Sequence, residues 1–404
     1  MPDTVIDTPN DIAPDIAPGI DWVARVREVA PIIEAGAAQT EADRMVAPSV
    51  MAAMHEAGLF RLSVPRAAGG HEAPVSQIIQ AVEAVANVDA STAWCMGQGL
   101  GCARSSAFVD PEIAREIWDT PDGVLAWGPP AGPMRAVAVD GGYRVTGKWQ
   151  FASGLMRATW VGPNLPVFNE DGERRLDEDG KPESRNMLIR KKDVQVNDVW
   201  QVIGLRGTGS NGFEVDDFFV PEEFTFIRDS KHYRRCEAEL YRIPLTTYYG
   251  MAFSSLALGV ARPVLDAFIE LAETKKASHT PVVLRESTAV QREFSAAEAA
   301  WGSGRAYLHE RVNALFGAGL PFEEWSIADR ARLRIASTNA MHQARNAVNW
   351  AYQAAGSGAI FEKNPFEKRL RDINAVCQQA QAQPVNFEHA GAALMGVESD
   401  GARI

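Results

Sequence analysis

Arg206, Thr208 and Ser210 lie on a loop punctuated by Gly204, Gly207, Gly209 and Gly212, inside V-W-Q-V-I-G-L-R-G-T-G-S-N-G-F-E-V-D-D-F-F-V-P (199–221). Two hydroxyls and a guanidinium thus sit together on one glycine-dense turn. The spacing Gly207-x-Gly209-x-x-Gly212 matches a dinucleotide fingerprint, which needs a helix to follow so that its N-terminus can hold a pyrophosphate. Here Phe213 to Val220 is short, aromatic and β-branched, and Pro221 stops it, so a strand follows. A Rossmann site is excluded, and a strand-to-strand loop flanked by helices is expected. Other chemistry is sparse. The seven histidines include no H-E-x-x-H, and Cys95, Cys102, Cys236 and Cys377 have no C-x-x-C spacing. Neither a metal site nor a disulfide framework is expected, and the cysteines read as thiols of a reducing cytoplasm. Arg228, Lys231, His232, Arg234 and Arg235 form a basic cluster that could meet a phosphate, although such clusters are more often solvated.

The elements that must position this loop are legible from periodicity. At 404 residues the chain exceeds one usual core, and two or three subdomains are expected. Hydrophobic content of 46% and charged content of 23% are those of a globular protein, and a formal net charge of −12 disfavours nucleic acid or anionic membrane as a partner. No uncharged apolar run is read as long enough to span a membrane. Residues 1–19 read as a flexible arm. Helical pattern fills 20–123: Trp22 to Leu59 with Pro31 near a helix start and Gly58 as a C-cap, a turn-rich link over 60–71, then helices from Ser76, from about Thr92, and from Pro111. A β region spans 124–230, with Asp140-Gly141-Gly142 as a hairpin turn, strands at Val161 to Phe168 and Asn186 to Ile189, and a charged solvated tip between them. Over 231–404 long helices are expected at about 248–275, 286–316, 326–356 and 367–380. Val290, Phe294, Ala297, Trp301, Gly304 and Leu308 form the packing seam of the second. The fold class is α+β: helical domain, β-sheet domain, four-helix bundle.

Three motifs, G-K-W-Q-F-A-S-G (147–154), G-L-R-G-T-G-S-N (204–211) and A-A-G-S-G-A-I-F…K-R-L-R-D (354–372), resemble the acyl-CoA dehydrogenase superfamily over nearly the whole chain after the arm. The nearer likeness is to its flavin-dependent monooxygenases, which take reduced flavin, FMN or FAD, from a separate reductase. The resemblance implies that Phe151, Ala152 and Ser153 lie along the flavin ring with the Ser153 hydroxyl at N5; otherwise Ser153 begins a Ser-Gly turn. It places Trp127 on the flavin or in the core, and Arg206, Thr208 and Ser210 on flavin or substrate, or in turn stabilisation. Gln291 and Gly356-Ser357-Gly358 correspond to positions that meet flavin phosphate or adenylate across a subunit boundary, which implies a homotetramer; a glycine C-cap is the plain alternative.

The departures are informative. The family's dehydrogenases carry a glutamate nine residues past Arg371, where this chain has Ala380, and 250–259 holds no substitute acid. The monooxygenases usually carry a histidine eight past Arg371 or at the position of Asn374; here the former is Gln379. Gln379 exchanges hydrogen bonds but takes no proton near neutrality. The resemblance thus implies an oxygenase component acting through a hydroperoxyflavin on a small organic substrate, aromatic ones included, with Gln379, Asn374 and Ser153 as catalytic positions. Alternatives are an acyl-thioester dehydrogenase with another base, Glu388 or His389 being available, and a flavin- or ligand-binding scaffold without catalysis.

Overall fold

Caps and apolar stripes set the first helices. In a computed structural model describing residues 19–177, 180–276 and 281–397, Asp21 accepts the Ala24 N–H and opens α1 (Trp22–Asp43). Pro31 stands inside α1 rather than at its start, so the helix continues through it with one ladder hydrogen bond missing. Then come α2 (Pro48–Glu56), α3 (Val75–Val88), α4 (Ala90–Ala103) and α5 (Pro111–Trp118). The α3 stripe of Ile78, Val82 and Val85 is fully buried, as its spacing predicts. The flexible-arm expectation for 1–19 falls almost wholly outside the described residues.

The strands are β1 (Leu125–Ala126), β2 (Arg135–Val139), β3 (Gly142–Trp149), β4 (Trp160–Val161), β5 (Asn164–Phe168), β6 (Ser184–Met187), β7 (Ile189–Arg190), β8 (Gln195–Asn197), β9 (Gly212–Pro221) and β10 (Thr225–Phe226). One sheet runs β1-β4-β7, the other β10-β6-β5-β2-β3-β9-β8, with β2–β5 parallel and its other pairs antiparallel. The β2–β3 hairpin turns at Asp140-Gly141, with Gly141 at φ 72°. The stretch 161–168, expected as one strand, is two strands in different sheets. Pro163 has no N–H to continue a ladder, and the chain changes partners there. Antiparallel bridges Phe168–Arg174 and Leu176–Pro182 bear out the hairpin-tip reading of the charged excursion.

The C-terminal region holds α6 (Glu239–Arg242), α7 (Leu245–Thr274), α8 (Thr288–Gly317), α9 (Ile327–Ala355), α10 (Pro365–Val376) and α11 (Val385–Leu394). Helices α7 to α10 are the expected bundle, and the α8 seam is buried at Ala297, Gly304 and Leu308. Helix α11 goes beyond the sequence expectation and packs on α9. The expectation of no span-length uncharged run needs correcting: 243–261 carries no charge, and α7 is long and apolar enough to cross a membrane. Here it is a core helix, its most apolar window 72% buried against α3, α4 and α9. Polar clasps tie the helical layers. Glu83 of α3 accepts from Arg305 Nε at 2.5 Å and pairs with His309 Nε2 at 2.9 Å on α8.

Candidate functional site

Ser153, Thr208 and Ser210 are brought together. The chain leaves β3 through Phe151, held at φ 54°, and Ala152 donates its N–H to Asn211 O at 3.1 Å. Gly154 N–H donates to Thr208 O at 2.8 Å, locking the 151–154 turn against the 206–210 loop. Ser153 Oγ lies 2.7 Å from Ser210 Oγ, which lies 2.7 Å from Thr208 Oγ1; Thr208 donates to Leu205 O at 2.9 Å. At the other end the Trp94 indole donates to Ser153 Oγ at 2.9 Å. All three hydroxyl residues are buried.

The loop is clamped from outside. Leu205 has φ 53°, a left-handed conformation that a branched aliphatic residue avoids unless tertiary contacts impose it. Asp372, fully buried on α10, accepts the Leu205 N–H at 2.7 Å and the Lys368 ammonium at 2.8 Å. Lys368 also donates at 3.0 Å to Asp89, the N-cap of α4. Burial opposes the Lys368 charge, but Asp89 and Asp372 hold its pKa above the ordinary lysine range. Arg371 donates to Ile203 O at 2.7 Å and pairs with Glu41 and Glu367. A Cβ on Gly204 would fall 2.1 Å from the Arg371 carbonyl oxygen, so loop and α10 meet backbone to backbone. Arg206 turns aside to Glu41 at 3.5 Å and remains partly exposed.

Aromatic rings wall one side. Trp94 stacks on Phe253 at 4.2 Å and 13°, and Phe253 on Tyr249 at 5.1 Å and 15°. The buried Trp127 donates its indole N–H to Tyr249 Oη at 3.1 Å, which joins it to this wall. Burial raises the Tyr249 pKa well above the usual phenol value, so its hydroxyl stays neutral. Phe151, 53% exposed, meets Trp200 edge-on at 5.8 Å. Val199, beside Trp200 in the chain, and Ile203 are uncovered as well.

The other sequence-predicted positions make their hydrogen bonds elsewhere. Gln379 caps a short 3₁₀ turn, its Oε1 accepting the Gln381 N–H at 2.9 Å and its Nε2 meeting Met341 Sδ at 3.5 Å. Asn374 donates to Leu370 O at 2.8 Å and to Asn349 Oδ1 at 3.2 Å, between α10 and α9. Gln291, exposed near the start of α8, donates to Arg285 O at 2.8 Å. Gly356, Ser357 and Gly358 form a 3₁₀ turn after α9, beside Lys275, which donates to Ala355 O. Gln291 and this turn share one end of the bundle, since α7 ends there, α8 begins there and α9 ends there. Glu388 and His389 lie on α11, Glu388 exposed. The basic cluster is mostly neutralised: Arg234 and Lys231 approach Glu323, Arg235 approaches Asp110, and Arg228 stands 5.8 Å over the Trp127 ring.

The buried carboxylates are Glu83, Asp89, Glu183 and Asp372 among the described residues, and each is ion-paired. Burial works against the charge on Glu83 and Asp89, but His309 and Arg305 on the first, and Lys368 and Thr92 on the second, hold both pKa values below the ordinary range. A base poised to take a carbon-bound proton needs the opposite shift. Trp94, Tyr249, Phe253 and Asp372 were not singled out as site residues by sequence reasoning. A lone tryptophan in the small-residue run A-S-T-A-W-C-M-G was the available signal for the first.

Aromatic walls, the uncovered Phe151 ring against Trp200 and a line of hydroxyls suit a planar, amphipathic heteroaromatic ring such as a flavin. Comparison with known proteins agrees. Residues 24–115 match the family model "Acyl-CoA dehydrogenase, N-terminal domain", and 251–384 match "Acyl-CoA dehydrogenase, C-terminal domain". The chain is 27% identical over 355 residues to indole-3-acetate monooxygenase of Pseudomonas putida, covering 87% of this chain and 88% of that one. It is 27% identical over 405 residues to the FADH(2)-dependent resorcinol hydroxylase, oxygenase component, of Rhizobium sp. (strain MTP-10005), covering 95% and 96%. Its fold superposes on XiaF from Streptomyces sp., solved with FADH2 and glycerol, with a TM-score of 0.85 at 22% identity over 94% and 96% of the two chains. By both terminal domain matches and by its helix–sheet–bundle order, this chain belongs to the acyl-CoA dehydrogenase superfamily.

Proposed function

We propose that the chain is the oxygenase component of a two-component flavin-dependent monooxygenase. It takes reduced flavin, FADH2 in the first instance, from a separate reductase and uses O2 to place one oxygen atom on a small aromatic substrate, the other leaving as water. When bound, the flavin supplies the reducing electrons and the site of oxygen activation. The chain's own residues bind, orient and keep out water. Phe151 and Ala152 would hold the ring along one side, and the Ser153 hydroxyl would supply a hydrogen-bonding group to its N5. The Arg206–Ser210 loop shapes the polar edge, and Trp127 closes the wall. The Trp94–Phe253–Tyr249 stack offers a flat apolar surface to an aromatic substrate. Gln379 and Asn374 serve as hydrogen-bonding, not proton-taking, groups. Gln291 and Gly356–Gly358 meet the phosphate end of a flavin held by a neighbouring subunit in a homotetramer of the cytoplasm.

What carries the reading is the aromatic stack hydrogen-bonded directly onto Ser153, while the buried carboxylates among the described residues are committed to ion pairs. The names of the relatives support the same reaction class and the reduced flavin. The test supplies the purified chain with FAD, NADH, a flavin reductase and ¹⁸O₂ over a panel of phenols and indoles. One ¹⁸O atom per product molecule is expected, and anaerobic acyl-CoA should leave bound oxidised FAD unbleached. Bleaching by acyl-CoA, or product without ¹⁸O, would refute the proposal.

A further inference from the structure

Four contacts link Trp94, Ser153, Ser210, Thr208 and the Leu205 carbonyl, and one indole and three hydroxyls supply four hydrogens for them. An indole N–H only donates and a carbonyl oxygen only accepts. With the ends so fixed, a single assignment satisfies every contact. Trp94 donates to Ser153, Ser153 to Ser210, Ser210 to Thr208, and Thr208 to Leu205 O. The chain therefore has a direction, and no hydroxyl hydrogen is left over. Ser153 keeps one oxygen lone pair, with no further hydrogen bond to Oγ among the described residues.

We infer that this directed chain holds Ser153 as an acceptor toward the cofactor and thereby selects reduced over oxidised flavin. The inference rests on the monooxygenase reading, with Ser153 at ring N5. Oxidised flavin presents a lone pair at N5 and needs a donor, whereas reduced flavin presents N5–H and needs an acceptor. For Ser153 to donate outward, Ser210 must lose its incoming hydrogen, although Ser210 and Thr208 are 2% and 1% exposed and cannot recruit water. Neighbouring bonds polarise one another, so one reversal weakens the rest. An oxygenase supplied by diffusing reduced flavin has to release the oxidised form, and this preference does so without a conformational change. Trp94, Ser210 and Thr208 are positioning residues that act through Ser153.

Removing the sink frees the Ser153 hydrogen. In Ser210→Ala it has no partner in the chain. In Thr208→Val, Ser210 can donate only back to Ser153, which again frees it. The experiment measures dissociation constants of the full-length protein for oxidised FAD and for anaerobically reduced FAD. The expected wild-type preference is for reduced FAD. Both variants should lower that preference about fivefold to tenfold, the upper figure being ~30 mV in the two-electron potential of bound FAD. Most of the change should be tighter binding of oxidised FAD, which a merely loosened pocket does not produce. In a Ser153→Ala background, Ser210→Ala should change the ratio no further. A ratio unchanged within twofold in both variants, or an equal Ser210→Ala effect with and without Ser153, overturns the inference while leaving the monooxygenase reading intact. Failure of the wild-type protein to bind FAD in either state overturns both.

Discussion

Asp372→Ala should both destabilise the protein and loosen the loop that carries Thr208 and Ser210. The carboxylate is fully buried, with one oxygen accepting the Leu205 N–H at 2.7 Å and the other the Lys368 ammonium at 2.8 Å. Truncation strips a left-handed Leu205 of the hydrogen bond that holds it and leaves Lys368 leaning on Asp89 alone. Removing one partner of a buried ion pair costs about 3–5 kcal/mol, and the stranded N–H adds roughly 1–3 kcal/mol. Because Lys368 keeps Asp89 and the Leu205 N–H can turn toward water as the loop opens, the lower range, about 3–4 kcal/mol, is expected. Asp372→Asn keeps an acceptor for Leu205 but aims an amide at Lys368, so about half that loss is expected. Urea unfolding of both variants measures the loss, and FAD affinity measured beside it should fall. A loss below ~1 kcal/mol for Asp372→Ala, or a full loss with unchanged FAD affinity, would refute the idea that α10 holds the loop in its binding shape.

Asp89→Asn should cost about 2–4 kcal/mol at neutral pH. Asp89 has a depressed folded-state pKa, so its contribution is fully present above the unfolded value near 3.8 and is lost as pH falls through the folded value. The wild-type advantage over Asp89→Asn should therefore shrink on acidification below about pH 4 in urea titrations, and an advantage that grows there would contradict it. Gly204→Ala puts a Cβ 2.1 Å from the Arg371 oxygen and should cost about 1–3 kcal/mol with weakened FAD binding, read by the same titrations. Gln379→Ala removes a turn cap worth about 1 kcal/mol. If Gln379 also serves the reaction, steady-state turnover should fall several-fold below what the stability change explains; unchanged turnover would make it a cap alone.

The broad architecture was legible because periodicity reports burial face by face. The α3 stripe, the α8 seam and the strand after Gly212 all follow from it. Pro31 and α11 escaped because local propensity yields to tertiary packing. A long α1 absorbs a proline, and α11 finds its face on α9 after the main bundle is complete. The 161–168 stretch escaped because spacing does not reveal which sheet a strand joins. The loop hydroxyls were visible, but their shared chain with Trp94 was not. It joins positions 59 residues apart, at Trp94 and Ser153, and 57 apart, at Ser153 and Ser210. Asp372 appeared in the sequence only as the last letter of the K-R-L-R-D motif, beside the Arg371 from which the base was counted. Its part in holding Leu205 depends on a contact 167 residues away.

Rapid mixing of the 404-residue chain, loaded anaerobically with reduced FAD, against oxygenated buffer separates an oxygenase from a protein that merely holds flavin. An absorbance transient distinct from both reduced and oxidised flavin is expected, outlasting the oxidation of free reduced FAD and followed by oxidised FAD. Addition of an aromatic substrate should then yield oxygenated product in step with the transient's decay. Direct appearance of oxidised FAD at the free-flavin rate, with no transient, would contradict the monooxygenase reading.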